Sequence, residues 1–495
     1  MIKIPEYIGA EKLFSYFEAF SAIPHGSGNT GAIADFFVDF AKERGLDYYR
    51  DEYDNVVIRK AATPGYEGRP TVIIQGHLDM VAEKKSGASI DMAKEGLSLY
   101  RDGDFIRAVD TTLGGDDGVA LMYAMALLDS DDIEHPAIEA VFTSDEEIGL
   151  LGAVALEPSE VKGRLLINVD SDVEGILTVG CAGGVRSDIS LPVAYENSPY
   201  PKAYKVRLHG FKGGHSGVEI DKGRGNAVKV LGELLNCIFD IRIASIMGGN
   251  ADNAIPRECE AVICAGEDFP KMLKESMERR KKTFADFPNA TLDELKKMDA
   301  TGKTLADIEP DIALDICEVD TPLVALDKDS TEGLIGLLVS LPSGVIAMSK
   351  ALPDLVETSL NLGILRLSDV AQVSFSVRSA VGEEKAKLCG RIREIAEKFG
   401  AGYGEHGAYP AWEYREDSHL RDVMVEVYEK MYGEKPQVVT IHAGLECGIF
   451  SEKLEGLDCV SIGPNNYDIH TTEERLSISS TMRVWEYIKA ILKEI

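Results

Sequence analysis

Short apolar runs rich in β-branched residues recur at both ends of the chain and alternate with helical stretches. "TVIIQG" (71–76), "AIEAVFTS" (137–144) and "RLLINVD" (164–170) lie in the first part, "PQVVTIHAG" (436–444) and "DCVSIG" (458–463) near the end. Runs of this length bounded by turn residues read as buried strands. The helical stretch 28–45 is amphipathic and stops on glycine, whereas "GVALMYAMALLDS" (118–130) is apolar nearly all round, the mark of a buried helix. This alternation predicts an α/β fold, with a mixed, mainly parallel sheet between helices.

Near residue 185 the pattern changes. A strand runs into a glycine-rich turn at 204–217, a helix follows at 223–239, and two strand-like runs (240–249, 254–266) surround a polar turn. Charged helical stretches fill 267–310, including one over 270–287, and 362–379 reads as a hairpin. This order predicts a separate α+β module. The α/β alternation resumes after about 382, with helices at 382–400, 419–433 and 479–495. The expected organisation is a catalytic domain in two parts, 1–186 and 382–495, hosting an inserted module at 187–381; surface insertion points tolerate such a discontinuity.

The net charge of −31, from 83 acidic and 52 basic residues, repels phosphate backbones and anionic lipid, so neither nucleic acid nor a membrane is an expected partner. Eight scattered cysteines without a C-x-x-C pair exclude a disulfide scaffold and fit a reducing compartment. The N-terminal stretch lacks the pattern of a secretory signal, and no apolar run is long enough to span a bilayer. The expected location is the cytoplasm.

Folding alone does not explain the residues that end the strands. "TVIIQGHLDMV" closes with His77 and Asp79, two apart and therefore on one side of a strand. A metal-bound imidazole needs a carboxylate to orient its ring, although a satisfied surface pair would look the same. "TTLGGDDGVA" sets Asp116 and Asp117 at the start of the buried helix, where acids complement the helix dipole or grip a cation. In "VFTSDEEIGLLGA", Ser144 and Glu147 fit a capping box, which leaves Glu146 unexplained. Adjacent glutamates at a turn project differently, so one can ligate a metal while its neighbour holds the attacking water. Asp170 follows a further strand, and His470 and His442 lie on polar stretches after strands, where a lone histidine is usually structural. All these groups fall at the C-terminal ends of predicted strands, the edge at which open α/β sheets bind ligands. A bridging carboxylate, with a histidine and a carboxylate for each metal, makes a two-metal hydrolytic site.

With "GHLDMV", "TTLGGDDGVA", "TSDEEIGLLGA", "NVDSDVEG", "GGHSG" and "GPNNYDIHTTEERLSI" in this order, essentially the whole chain resembles the zinc-dependent exopeptidases that include carnosinases, aminoacylases, tripeptidase T and carboxypeptidase G. "FKGGHSG" and "HAGLECG" resemble its aminoacyl-histidine (Xaa-His) dipeptidase branch, also called peptidase D. "GGDDG" departs from that branch, which more often has Ala and Asn at the second and fourth positions, but it keeps Asp116.

The resemblance implies that His77 and Asp170 hold one zinc, that Glu147 and His470 hold the other, and that Asp116 bridges them, with manganese or cobalt as alternative metals. It implies that Asp79 orients His77, that Glu146 is the general base, and that the peptide Asp116–Asp117 is cis. The inserted module resembles the family's lid. There it implies an oxyanion role for His215, places Asn253 and Arg378 in segments that resemble substrate-binding ones, and carries a homodimer interface. His442, in "HAGLECG", joins the candidate substrate contacts. Arg378 is shaped to pair with a substrate carboxylate, or is a strand-end surface charge. In this family an aspartate at position 170 goes with aminopeptidases and dipeptidases.

The expected activity is therefore hydrolysis of dipeptides of the Xaa-His type, such as carnosine. A broader dipeptidase or tripeptidase and an N-acyl amino acid hydrolase share the same metals. A binding protein without catalysis would lack a ligand or the base, and none of the seven positions is missing.

Overall fold

The computed structural model describes residues 3–282, 302–350, 352 and 355–495. Four strands, Ile138–Thr143, Val72–His77, Leu165–Asn168 and Asp458–Ser461, pair in parallel in that order. Every residue in them is buried, as expected of strands covered on both faces. Val56–Lys60 and Asp47–Arg50 extend one side antiparallel, and Ile176–Cys181 pairs antiparallel on the other, with Gln437–Ile441 at the far edge. The sheet is thus mixed, with parallel pairing confined to its centre.

The helix Gly115–Leu128 packs on Val72–His77 and buries every residue except Asp116, which accounts for its apolar circumference. Close approach depends on Gly76, where a Cβ would lie 2.3 Å from the Cβ of Ala120. Tyr123 on this helix stacks on Trp485 of the closing helix Ile478–Glu494, with ring centroids 5.7 Å apart. These elements belong to one compact unit assembled from Met1–Cys181, Tyr414–Thr440 and Leu445–Ile495.

The second unit comprises Ala182–Glu413 and Ile441–Gly444. Its main sheet is nine-stranded and pairs antiparallel, and the expected hairpin forms between Val356–Leu367 and Val370–Ser379. This unit continues past the expected boundary at 381. The helix Gly382–Lys398 packs on Gly183–Pro192, Val370–Ser379 and Gly402–Tyr409, and its Leu388, Ile392 and Ala396 share a core with Ile189 and Phe375. The helix expected over 270–287 is Phe269–Lys281; residues 283–287 lie outside the described ones.

Candidate active site

The four parallel strands end on one edge of the sheet, and the loops leaving that edge carry the acids and histidines singled out above. His77 is the last residue of its strand and pairs with Thr143, after which come Glu146 and Glu147. Asp170 follows Asn168, and the chain after Ser461 leads to His470. Asp116 enters from the start of the buried helix, and the peptide joining it to Asp117 is cis, as the resemblance implied.

Asp116 lies between two histidines and turns one oxygen to each. Its Oδ1 is 3.0 Å from His77 Nε2, and its Oδ2 is 3.3 Å from His470 Nε2. His77 Nε2 also lies 4.0 Å from Asp170 Oδ1, and His470 Nε2 lies 2.8 Å from Glu147 Oε1. Two groups of potential ligands result, His77–Asp116–Asp170 and Asp116–Glu147–His470, sharing Asp116. In each, the ligand atoms lie within 4.8 Å of one another, as do those of His77, Glu146 and Glu147.

The electrostatics describe a site short of positive charge. Burial pushes the carboxyl of Asp170 well up, and the Asp116 and Asp117 charges add to the shift. Burial also raises Glu146 to about 8, helped by Glu446, Asp116 and Glu147 against the pull of His77. His470 rises to about 10 through its hydrogen bonds to Asp116 and Glu147. Burial opposes a charge on His77, but Asp116, Asp79 and Glu146 outweigh it and hold the ring well above its ordinary value. Enclosed carboxylates that can be relieved only by protonated imidazoles have the charge and the nitrogen–oxygen donor set that suit divalent metals. The residues present therefore fit a two-metal centre.

Asp79 faces this centre from below. His77 Nδ1 lies 2.9 Å from its main-chain carbonyl and 3.5 Å from its carboxylate. The same carboxylate accepts the N–H groups of Glu146 at 2.9 Å and Glu147 at 3.3 Å, and the Ser27 hydroxyl at 2.7 Å. The capping box does not form: the Ser144 hydroxyl donates to the Tyr53 carbonyl, and the next helix is Leu151–Ala155.

Beneath the candidate ligands runs a buried polar chain that the sequence reading missed. Gln75 Nε2 and Thr143 Oγ1 each donate to Glu446 Oε2 at 2.6 Å, and Asn168 Nδ2 donates to Gln75 Oε1 at 2.7 Å. All four side chains are fully buried. Amides on buried strands and a carboxylate buried against them are costly unless satisfied, so the glutamine near the end of "TVIIQG" was the available signal.

The remaining candidates lie in the second unit. Gly217 and Val218 donate their N–H groups to Nδ1 of His215 at 3.2 and 3.3 Å, which leaves its proton on Nε2. His215 and Asn253 line one cavity of about 450 Å³. Arg378 is buried, not a surface charge; it donates to the Tyr409 hydroxyl at 2.9 Å, and its Nε has no partner among the described residues. His442 Nε2 meets the Ser359 hydroxyl at 2.7 Å, and burial, reinforced by Arg378, lowers its pKa to about 3.

The chain is similar to known proteins. The chain is 34% identical over 493 residues to the cytosol non-specific dipeptidase of Escherichia coli (strain K12), covering 99% of this chain and 98% of that one. The crystal structure of the aminoacylhistidine dipeptidase from Vibrio alginolyticus superposes with a TM-score of 0.89 at 34% identity, covering 98% and 96% of the two chains. The aminopeptidase PepT of Bacillus cereus shares the fold, with a TM-score of 0.54 at 15% identity and 98% coverage of each chain. Residues 73–494 match the profile of peptidase family M20/M25/M40. On this profile and this identity, the chain is a member of peptidase family M20/M25/M40.

Proposed function

We propose that this protein is a dizinc dipeptidase that hydrolyses dipeptides of the Xaa-His type by activating water with Glu146. The observation that carries the reading is the position of Asp116, whose two oxygens face His77 and His470 separately. His77 and Asp170 would hold one metal and Glu147 and His470 the other, with Asp116 common to both. When bound, the metals supply Lewis acidity, acidifying water and polarising a peptide carbonyl.

The chain's own groups do the rest. Glu146 takes the proton of the attacking water and delivers it to the leaving amine, the shuttle of a general base that turns general acid. Asp79 fixes the ring of His77 and the backbone that presents Glu146. His215, protonated on Nε2, offers a donor for the oxyanion of the tetrahedral intermediate. Arg378 receives the substrate carboxylate through its guanidinium, with Asn253 and His442 as further substrate contacts. Zinc as the metal, a homodimer formed through the second unit and a cytoplasmic location complete the reading. The name of the Escherichia coli relative and the absence, among the described residues, of a helix long and apolar enough to cross a membrane support the last of these.

One relative is named for non-specific dipeptides and the other for aminoacyl-histidine, so specificity is what the experiment must separate. Hydrolysis of β-Ala-His, Leu-Leu, a tripeptide and an N-acetyl amino acid is compared with and without added zinc. Metal-dependent cleavage of β-Ala-His in preference to the others is expected. Equal cleavage of Leu-Leu would widen the specificity, and cleavage of the N-acetyl amino acid alone would replace the dipeptidase reading.

A further inference from the structure

Besides carrying His470, the segment that follows Ser461 braces the loops holding two other ligands. Its first part leans on the loop after Asp170: Ser171 N–H donates to the Ile462 carbonyl at 3.3 Å, and Asn466 N–H to the Asp172 carbonyl at 3.0 Å. Glu174 N–H donates to Asn465 Oδ1 at 2.9 Å. The fit at Gly463 is tight enough that a Cβ would lie 1.5 Å from the Ser171 carbonyl oxygen.

Its last part grips the loop before Asp116. Glu474 is 3% exposed and makes no ion pair among the described residues. Its Oε2 accepts the N–H groups of Leu113 at 2.7 Å and Gly114 at 3.1 Å, and its Oε1 accepts that of Gly115 at 2.8 Å. Asn466 Nδ2 adds a fourth bond, to Oε1, at 3.2 Å. Successive backbone N–H groups converging on one anion form a nest, a motif usually occupied by phosphate or a cluster. Here the protein's own carboxylate occupies it, one residue ahead of Asp116. Gly114 reaches the required backbone at φ +66°.

We propose that Glu474 is a positioning residue that sets Asp116 against His470, so that the binding of both metals depends on a group that ligates neither. The proposal rests on the two-metal reading. A neutral glutamine cannot replace Glu474, because its amide N–H groups would face backbone N–H groups. A clamp that only stabilised the loop would lower the unfolding temperature without changing metal affinity. One that positions the shared ligand must weaken both metals together.

The test is a zinc titration of the full chain against a chromophoric chelator, with metal content read by mass spectrometry, on the parent, Glu474→Gln, Asn466→Ala and His470→Ala. The parent is expected to bind two zinc ions, and His470→Ala to keep one. Glu474→Gln should weaken both ions by roughly 10–100-fold, the effect typical of a lost group behind a ligand. Asn466→Ala, which removes only the fourth bond, should weaken both by a smaller factor. Parent-like affinity in Glu474→Gln, or loss of one ion only, overturns the proposal. Should that variant not fold, parent-like binding by Asn466→Ala overturns it. A parent that fails to bind two ions refutes the two-metal reading instead.

Discussion

Asp79 accepts the main-chain N–H of Glu146 through Oδ1 at 2.9 Å. One carboxylate thereby holds both the histidine of one metal group and the backbone that presents the base. Asp79→Asn places an amide donor among three existing donors, the N–H groups of Glu146 and Glu147 and the Ser27 hydroxyl. Steady-state kinetics on β-Ala-His should show kcat/KM lowered by roughly 10–100-fold, with zinc affinity falling in parallel.

Glu146→Gln keeps the shape of the site and removes its proton carrier. Turnover should drop by about 10²–10⁴-fold, the usual contribution of a general base, while metal analysis still finds two ions. Because Glu146 also lies within ligand distance of His77 and Glu147, loss of an ion together with activity would reassign it as a ligand.

Stripping the metals should unfold nothing at once but should leave repelling carboxylates behind. A chelator is expected to abolish hydrolysis and lower the thermal midpoint, and added zinc to restore both. For a site filled at a hundredfold excess over its Kd, the lost stabilisation is about 2.7 kcal/mol per ion. A midpoint unchanged by chelation would contradict this.

Glu446 supplies a pH dependence whose sign is fixed. Burial raises its carboxyl from the ordinary 4.5 to about 7, so between these values the folded metal-free protein holds a proton that the unfolded chain releases. Stability from this group is therefore present below pH 4.5 and is lost as pH rises through 7. Glu446→Gln removes the loss. Denaturant unfolding of the metal-free proteins should show the variant gaining on the parent between pH 5 and pH 8, by on the order of 2–3 kcal/mol. A difference independent of pH would refute the assignment.

The candidate ligands stood out in the sequence as acids and histidines after predicted strands or, for Asp116, at the start of the buried helix, where folding has no use for a charge. It was the family resemblance that grouped His77, Asp116, Glu147, Asp170 and His470 as a set before their distances were known. Glu474 was not among them: its partners at 113–115 lie 359–361 residues away, and a glutamate in a polar loop looks solvated. Gln75 was overlooked for the opposite reason, since one amide inside an apolar run does not disturb the strand pattern. The boundary at 381 was misplaced because amphipathic spacing in Gly382–Lys398 shows that a face is buried without showing which sheet buries it.

The first unit is stitched from segments far apart in the chain. A ribosome making this protein releases four of the five candidate ligands early and His470 and Glu474 only after the whole second unit has been synthesised. On the two-metal reading, a product truncated before residue 470 would lack a ligand of one metal and the brace on the loop before Asp116.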